Sequence, residues 1–148
     1  MEQLMRLSVY LQRPFRQQLE EFNTCRKQKS CCLCASRQVH LSMDKPSGGA
    51  AFGSKMRYNS GFFEMMVVLC NKDTAGVVTA FYLTSHRNHH DVLGFEFLGD
   101  VRGKPITLQT NIIFTNGNGN REQKIYLSFD PTPDFHSYKI LWNPYQVV

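Results

Sequence analysis

A chain of 148 residues, 42% hydrophobic and 20% charged, supplies one modest domain with a core of its own. No run approaches the roughly 18 apolar residues that a membrane span needs. The net charge of +5 is uneven: residues 1–58 hold ten Lys/Arg against four Asp/Glu, and residues 59–148 hold seven against eight. A nucleic-acid partner requires a basic stripe with interleaved aromatics on a folded face, and nothing of that kind follows residue 58, so nucleic acid is not an expected partner.

The N-terminal stretch, residues 1–35, is charged, Gln-rich, Cys-rich and interrupted by Pro14. Leu4, Leu7 and Leu11 recur at i, i+3 and i+7, which predicts either an irregular segment or a short helix lying outside the domain. The continuous apolar stretch of about 7–15 residues that marks a secretory leader is missing. Cys25, Cys31, Cys32 and Cys34 fall in the pattern C-x5-C-C-x-C. Zinc sites pair two knuckles across a longer loop, and adjacent Cys31 and Cys32 do not easily reach one tetrahedral ion, so no metal is expected. The role of the four thiols stays open.

From residue 36 to residue 148 the texture changes to short strands between turns. Val39–Met43 alternates, and DKPSGG turns the chain. Phe62–Leu69 is apolar and β-rich, NKDTAG is a loop, and Val77–Thr84 is a further strand. A loop with His86, His89 and His90 leads to Leu93–Leu98; these histidines and Asp91 offer no ligand geometry that argues for a metal. After a turn at Asp100–Lys104 come a long strand, Ile106–Thr115, and NGNGNRE, whose Asn and Gly tolerate the positive φ of a hairpin. Ile125–Phe129 and Tyr138–Trp142 close the series, and WNPYQVV at 142–148 reads as the start of one more strand. Strands at this spacing predict an all-β fold, an antiparallel sandwich or barrel.

The segment His90–Gly99, HDVLGFEFLG, carries the functional reading. Alternate residues of a strand share a face, so Val92, Gly94 and Glu96 point one way and Phe95 and Phe97 the other. Glu96 is then a lone carboxylate on its face, whereas a glycosidase ordinarily needs two flanking the bond it cuts.

From about Val39 to Val148 the sequence resembles the plant xyloglucan endotransglucosylase/hydrolases of glycoside hydrolase family 16. The resemblance rests on LSMDKPSGGAAFGSK (41–55), DTAGVVTAFYLTS (73–85), HDVLGFEFLG (90–99), GKPITLQTN (103–111), NREQKIYLSFDP (120–131) and FHSYKILWNP (135–144), in order along the chain. It implies a partial concanavalin-like jelly roll lacking its second half, with a polysaccharide cleft across the concave sheet. The family strand reads HDEIDFEFLG. In that scheme the first Glu is the nucleophile, the middle Asp a helper and the last Glu the general acid/base. By that resemblance Glu96 occupies the acid/base position, while Val92 stands at the nucleophile and Gly94 at the helper. Valine has no lone pair with which to attack an anomeric carbon.

The resemblance further implies sugar contacts from Tyr82, Gln109, Asn111 and Lys124, a xyloglucan or related β-1,4-glucan partner, no cofactor, and a cell-wall location. His136, Tyr138 and Trp142 match the family's FHSYxxLW segment, where ordinary packing is an equal alternative. Departures include Gly99-Asp100-Val101-Arg102 in place of a glycosylation sequon, and Ser128 where Trp is usual. Three readings remain open: a family member with impaired catalysis, a working transglycosylase or hydrolase with an unrecognised nucleophile, and a non-catalytic binding or interaction module.

Overall fold

The protein is seen in a computed structural model that describes residues 5–8, 22–23, 32–35, 38–41, 51–85, 91–113 and 121–148. Eleven strands are assigned among these residues: β1 (Met5–Ser8), β2 (Phe22–Asn23), β3 (Cys32–Ala35), β4 (Gln38–Leu41), β5 (Gly53–Tyr58), β6 (Gly61–Val67), β7 (Val78–Ser85), β8 (Val92–Leu98), β9 (Thr107–Ile113), β10 (Gln123–Tyr126) and β11 (His136–Trp142). Seven form one sheet in the order β10-β9-β8-β7-β1-β5-β2, β11 pairs with β6, and β3 with β4. All pairings are antiparallel. The architecture is the expected all-β partial jelly roll.

Alternation explains how the seven-stranded sheet adheres to the smaller β6–β11 sheet. Phe81 and Leu83 of β7 are wholly buried, and Leu93 and Phe97 of β8 and Leu108 of β9 join them on the inner face. Phe63, Met65 and Val67 of β6 and Tyr138 and Ile140 of β11 meet them from the smaller sheet. The Tyr138 ring stands edge-on to Phe97, with centroids 4.7 Å apart and planes at 72°. Each such apolar side chain contributes about 1.5–3 kcal/mol on burial.

Turn chemistry fixes the loops. Gly76 and Gly103 take φ of 76° and 86°, values that glycine adopts at little cost. Val77 N–H donates to the Thr74 carbonyl at 2.9 Å, and Lys104 N–H to the Val101 carbonyl at 3.0 Å, closing the turns before β7 and β9. At the C-terminus the chain folds back on β11: Leu141 and Val148 exchange backbone hydrogen bonds of 2.7 and 2.9 Å, and Val147 bridges Trp142. Where a further strand is expected at 142–148, the structure shows a turn and an isolated bridge onto β11.

Several expectations need correction. The helix through Leu4, Leu7 and Leu11 is not formed at Met5–Ser8, which is β1, lying between β7 and β5. Pairing on both sides satisfies that strand's backbone groups, and tertiary pairing overrides a three-residue apolar period. Strand β5 was not anticipated, because its Lys55, Met56 and Arg57 are all exposed and its sequence shows no clean alternation. Strand β10 is Gln123–Tyr126 and not Ile125–Phe129. Its register with β9 runs from Gln123↔Thr110 to Tyr126↔Thr107, after which Asp130 Oδ1 accepts the Thr132 N–H at 2.9 Å and turns the chain. The NGNGN turn, His86, His89, His90, Cys25 and Cys31 lie outside the described residues.

Candidate functional site

The cross-strand register assembles the predicted residues on one face of the larger sheet. Tyr82 of β7 is opposite Gly94 of β8, and Gly94 is opposite Asn111 of β9. The next row on the same face runs Ala80, Glu96, Gln109 and Lys124, across four strands. Val92 lies one row the other way, between Thr84 and Ile113. Side chains directly opposite in an antiparallel pair point to the same side, so all seven positions named from the sequence share this face.

Within that face, Gln109 Nε2 donates to Glu96 Oε2 at 3.3 Å. The bond ties two neighbouring strands and leaves Glu96 Oε1 for another donor. Glu96 and Tyr82 are half-buried, whereas Gln109 is 7% and Asn111 6% exposed, low values for polar groups outside the apolar core. Buried polar atoms are almost always hydrogen-bonded. Asn111 Oδ1 is not: it is buried and has no partner among the described residues. An acceptor in that state favours a hydroxyl or amide donor brought by a ligand.

Glu96 is the sole carboxylate in strands β7 to β10. Asp91 precedes β8 and is buried, 3% exposed; its backbone N–H donates to Ser85 Oγ at 2.9 Å. One acidic residue escaped the sequence reading. Glu122 stands immediately before β10, and the Arg121 N–H to Ile112 carbonyl bond of 3.5 Å continues the β9–β10 ladder past it. Its register position is thus opposite Asn111, two strands from β8. Only the pairing of β9 with β10 reveals this, because the intervening residues 114–120 hide the register from any reading of spacing.

Val92 is half-buried and apolar. Gly94 lies close against β7. A Cβ built there meets the Phe81 carbonyl oxygen, lies 2.5 Å from Tyr82 Cβ and 2.7 Å from Tyr82 Cα.

Residues of the FHSYKILW segment serve elsewhere. Tyr138 packs in the core on the far side of the sheet from Glu96, and burial pushes its hydroxyl above the usual phenol range. The His136 ring stacks on Phe129 with centroids 4.3 Å apart. A cavity of about 780 Å³ opens at the end of the sandwich, lined in part by Cys70, Lys72, Arg102, Lys104 and Ser128, and none of the seven predicted residues lines it. Among the described residues no cluster of His, Cys, Asp or Glu has the arrangement of a metal site, and no helix is long and apolar enough to cross a membrane.

Comparison with known proteins places this face in context. Residues 18–148 match the family described as Glycosyl hydrolases family 16. Xyloglucan endotransglucosylase/hydrolase protein 2 of Arabidopsis thaliana is 59% identical over 116 residues, covering 78% of this chain and 39% of that protein. A probable xyloglucan endotransglucosylase/hydrolase protein of Nicotiana tabacum is 53% identical over the same shares. Probable xyloglucan endotransglucosylase/hydrolase 1 of Solanum lycopersicum is 57% identical over 108 residues, 73% of this chain and 36% of that protein. The chain therefore spans well under half the length of these relatives. On the family match, the all-β sandwich and this level of identity, the chain belongs to glycosyl hydrolases family 16.

Proposed function

We propose that this protein is a xyloglucan-directed member of the family, acting in the plant cell wall, whose concave face binds a β-1,4-glucan chain without cleaving it at the family's rate. The observation that carries the reading is the row of alternate positions on β8. Glu96 supplies one carboxylate there, and Val92 and Gly94 supply none.

Retaining hydrolysis and transglycosylation both need a nucleophile and an acid/base about 5–5.5 Å apart. Glu96 fits the acid/base role: it is half-buried and held at one oxygen by Gln109. The opposite role falls to Val92, which has no atom that forms a covalent glycosyl bond. No glycosyl-enzyme forms, so no transfer to an acceptor follows.

Binding is a separate matter. Tyr82 offers an aromatic face to sugar C–H groups. Glu96, Gln109 and the orphaned Asn111 Oδ1 present acceptors and donors to hydroxyls, and Lys124 keeps a positive charge without the planar fork of arginine. Calorimetry with a xyloglucan oligosaccharide and a transfer assay separate the two halves of the proposal. Saturable binding lost in Tyr82→Ala, with no turnover, is the expected result; family-like turnover by the unaltered chain rejects it.

A second reading is favoured by one observation, the continuation of the β9–β10 ladder past Glu122. Two strands across and two residues along set its Cα about 12 Å from that of Glu96. An inverting hydrolase needs carboxylates about 6.5–9.5 Å apart, so the two side chains would have to lean together. Slow hydrolysis abolished equally by Glu96→Gln and Glu122→Gln would support this route.

A further inference from the structure

We propose that position 94 is closed to any side chain by the backbone of β7, so that the helper carboxylate cannot be rebuilt in this sheet by substitution. The inference rests on the reading that Gly94 stands where a helper carboxylate belongs.

The closure is a matter of strand spacing. In an antiparallel pair, Cβ atoms directly opposite one another sit about 4.5–5.5 Å apart. Gly94 is the register partner of Tyr82, and a Cβ at 94 would lie 2.5 Å from Tyr82 Cβ. Two of the three nearest atoms are backbone, the Phe81 carbonyl oxygen and Tyr82 Cα. Rotating the tyrosine ring moves neither. Relief requires β7 and β8 to shift apart by about 2 Å. That shift disturbs the inner face, where Phe81 and Leu83 are fully buried against the smaller sheet.

A second close approach lies just beyond the strand pair, between the residue after β8 and the loop before β7. A Cβ at Gly99 would meet the Thr74 carbonyl oxygen and lie 2.6 Å from Thr74 Oγ1, and Gly99 N–H donates to the Val77 carbonyl at 2.9 Å. Losing the carboxylate at 94 is a property of the backbone here, whereas losing the one at 92 is a property of a side chain alone. Val92 is half-buried, in register with Thr84 and Ile113, and a longer side chain at that position points to the same face as Glu96.

Denaturant unfolding of the full chain tests this without any polysaccharide, so its outcome is independent of whether xyloglucan binds. Gly94→Ala should reduce the folding equilibrium constant by about 10- to 100-fold, the effect of overpacking a filled space. Gly61→Ala is the control. A Cβ there meets the Phe63 ring, at 2.8 Å, and no backbone atom, so the expected loss is smaller than that of Gly94→Ala. Tyr82→Ala keeps both carbon atoms that crowd position 94, so it should not rescue Gly94→Ala. Val92→Glu should fold, and Val92→Glu with Gly94→Asp should not.

An unfolding midpoint for Gly94→Ala equal to the unaltered chain overturns the proposal. So does full rescue by Tyr82→Ala, which would assign the crowding to the ring. A wild-type-like midpoint for the Val92→Glu, Gly94→Asp double variant overturns it as well. An unaltered chain without a cooperative transition does the same, because the closure depends on a fixed β7–β8 spacing.

Discussion

The two faces of β8 differ in completeness. On the inner face Leu93 and Phe97 are buried among Phe81, Leu83, Leu108 and Tyr138, and the rings of Phe97 and Tyr138 meet edge to face. On the outer face, one residue away along the chain, Glu96 shares a single hydrogen bond with Gln109, and the Asn111 amide oxygen has no partner among the described residues. The inner face is finished by the protein's own atoms. The outer face leaves hydrogen-bonding capacity unused, as a surface built for a ligand does. Alternation assigns the two sets of side chains to opposite faces of one backbone.

The largest test of that contrast sets neighbouring residues against each other. Phe97→Ala should cost about 3–5 kcal/mol, the range for emptying a buried aromatic site. Glu96→Gln, its neighbour on the other face, should stay within about 1 kcal/mol, since a neutral amide keeps the shape and the contact with Gln109. Chemical denaturation of the two variants reads both numbers, and equal losses would erase the distinction between the faces.

The inner face has one flaw, the Tyr138 hydroxyl, which is buried and without a partner among the described residues. Tyr138→Phe should therefore stabilise the fold by about 1 kcal/mol. Burial raises this group's folded pKa. The stability that depends on the neutral phenol is thus fully present below its ordinary value near 10, and is lost as pH rises through the raised folded value. Thermal melts between neutral and alkaline pH should show a decline that the phenylalanine variant lessens.

On the outer face, Asn111→Ala removes an unsatisfied buried acceptor, so stability should hold or rise by up to about 1 kcal/mol. Oligosaccharide affinity should fall about tenfold, the equivalent of one hydrogen bond. Isothermal titration beside a melt separates these two effects, and a parallel loss of both would make Asn111 a structural residue.

The smallest effect lies on the solvent side of the β6–β11 sheet. Ser137 Oγ donates to Glu64 Oε1 at 2.5 Å and Lys139 Nζ lies 3.6 Å from the same oxygen, and together they hold the Glu64 carboxyl below its ordinary range, the serine bond being the larger cause. The associated stability is present above the unfolded carboxyl pKa and fades as pH falls through the lowered folded one. Ser137→Ala should flatten that acid limb slightly, visible in melts taken below neutral pH.

Much of this arrangement is legible in the amino-acid sequence. Strand alternation alone set Val92, Gly94 and Glu96 on one face and Phe95 and Phe97 on the other, and turn residues separated most strands. What escaped depended on pairing. Met5–Ser8 became a strand because β7 and β5 flank it, a fact its own apolar spacing does not contain. The alignment of Glu96 with Gln109 and Lys124, and of Glu122 with Asn111, follows from the β8–β9–β10 register, which is set across loops whose geometry no local motif encodes. The glycine at 94 was visible as a missing carboxylate. Its closure by the Phe81 carbonyl was not, because interstrand distance is a property of two segments together.

The fold-back at the C-terminus has a kinetic meaning. Bringing two distant segments together is the entropically costly part of making a hairpin, and here the turn at Asn143–Gln146 is already closed, with Asn143 N–H donating to the Gln146 carbonyl at 3.0 Å and Leu141 and Val148 joined by two bonds. The loop that joins the two paired segments is only a few residues long, so its closure costs little entropy, and residues 147 and 148 can settle on β11 as soon as that strand is in place.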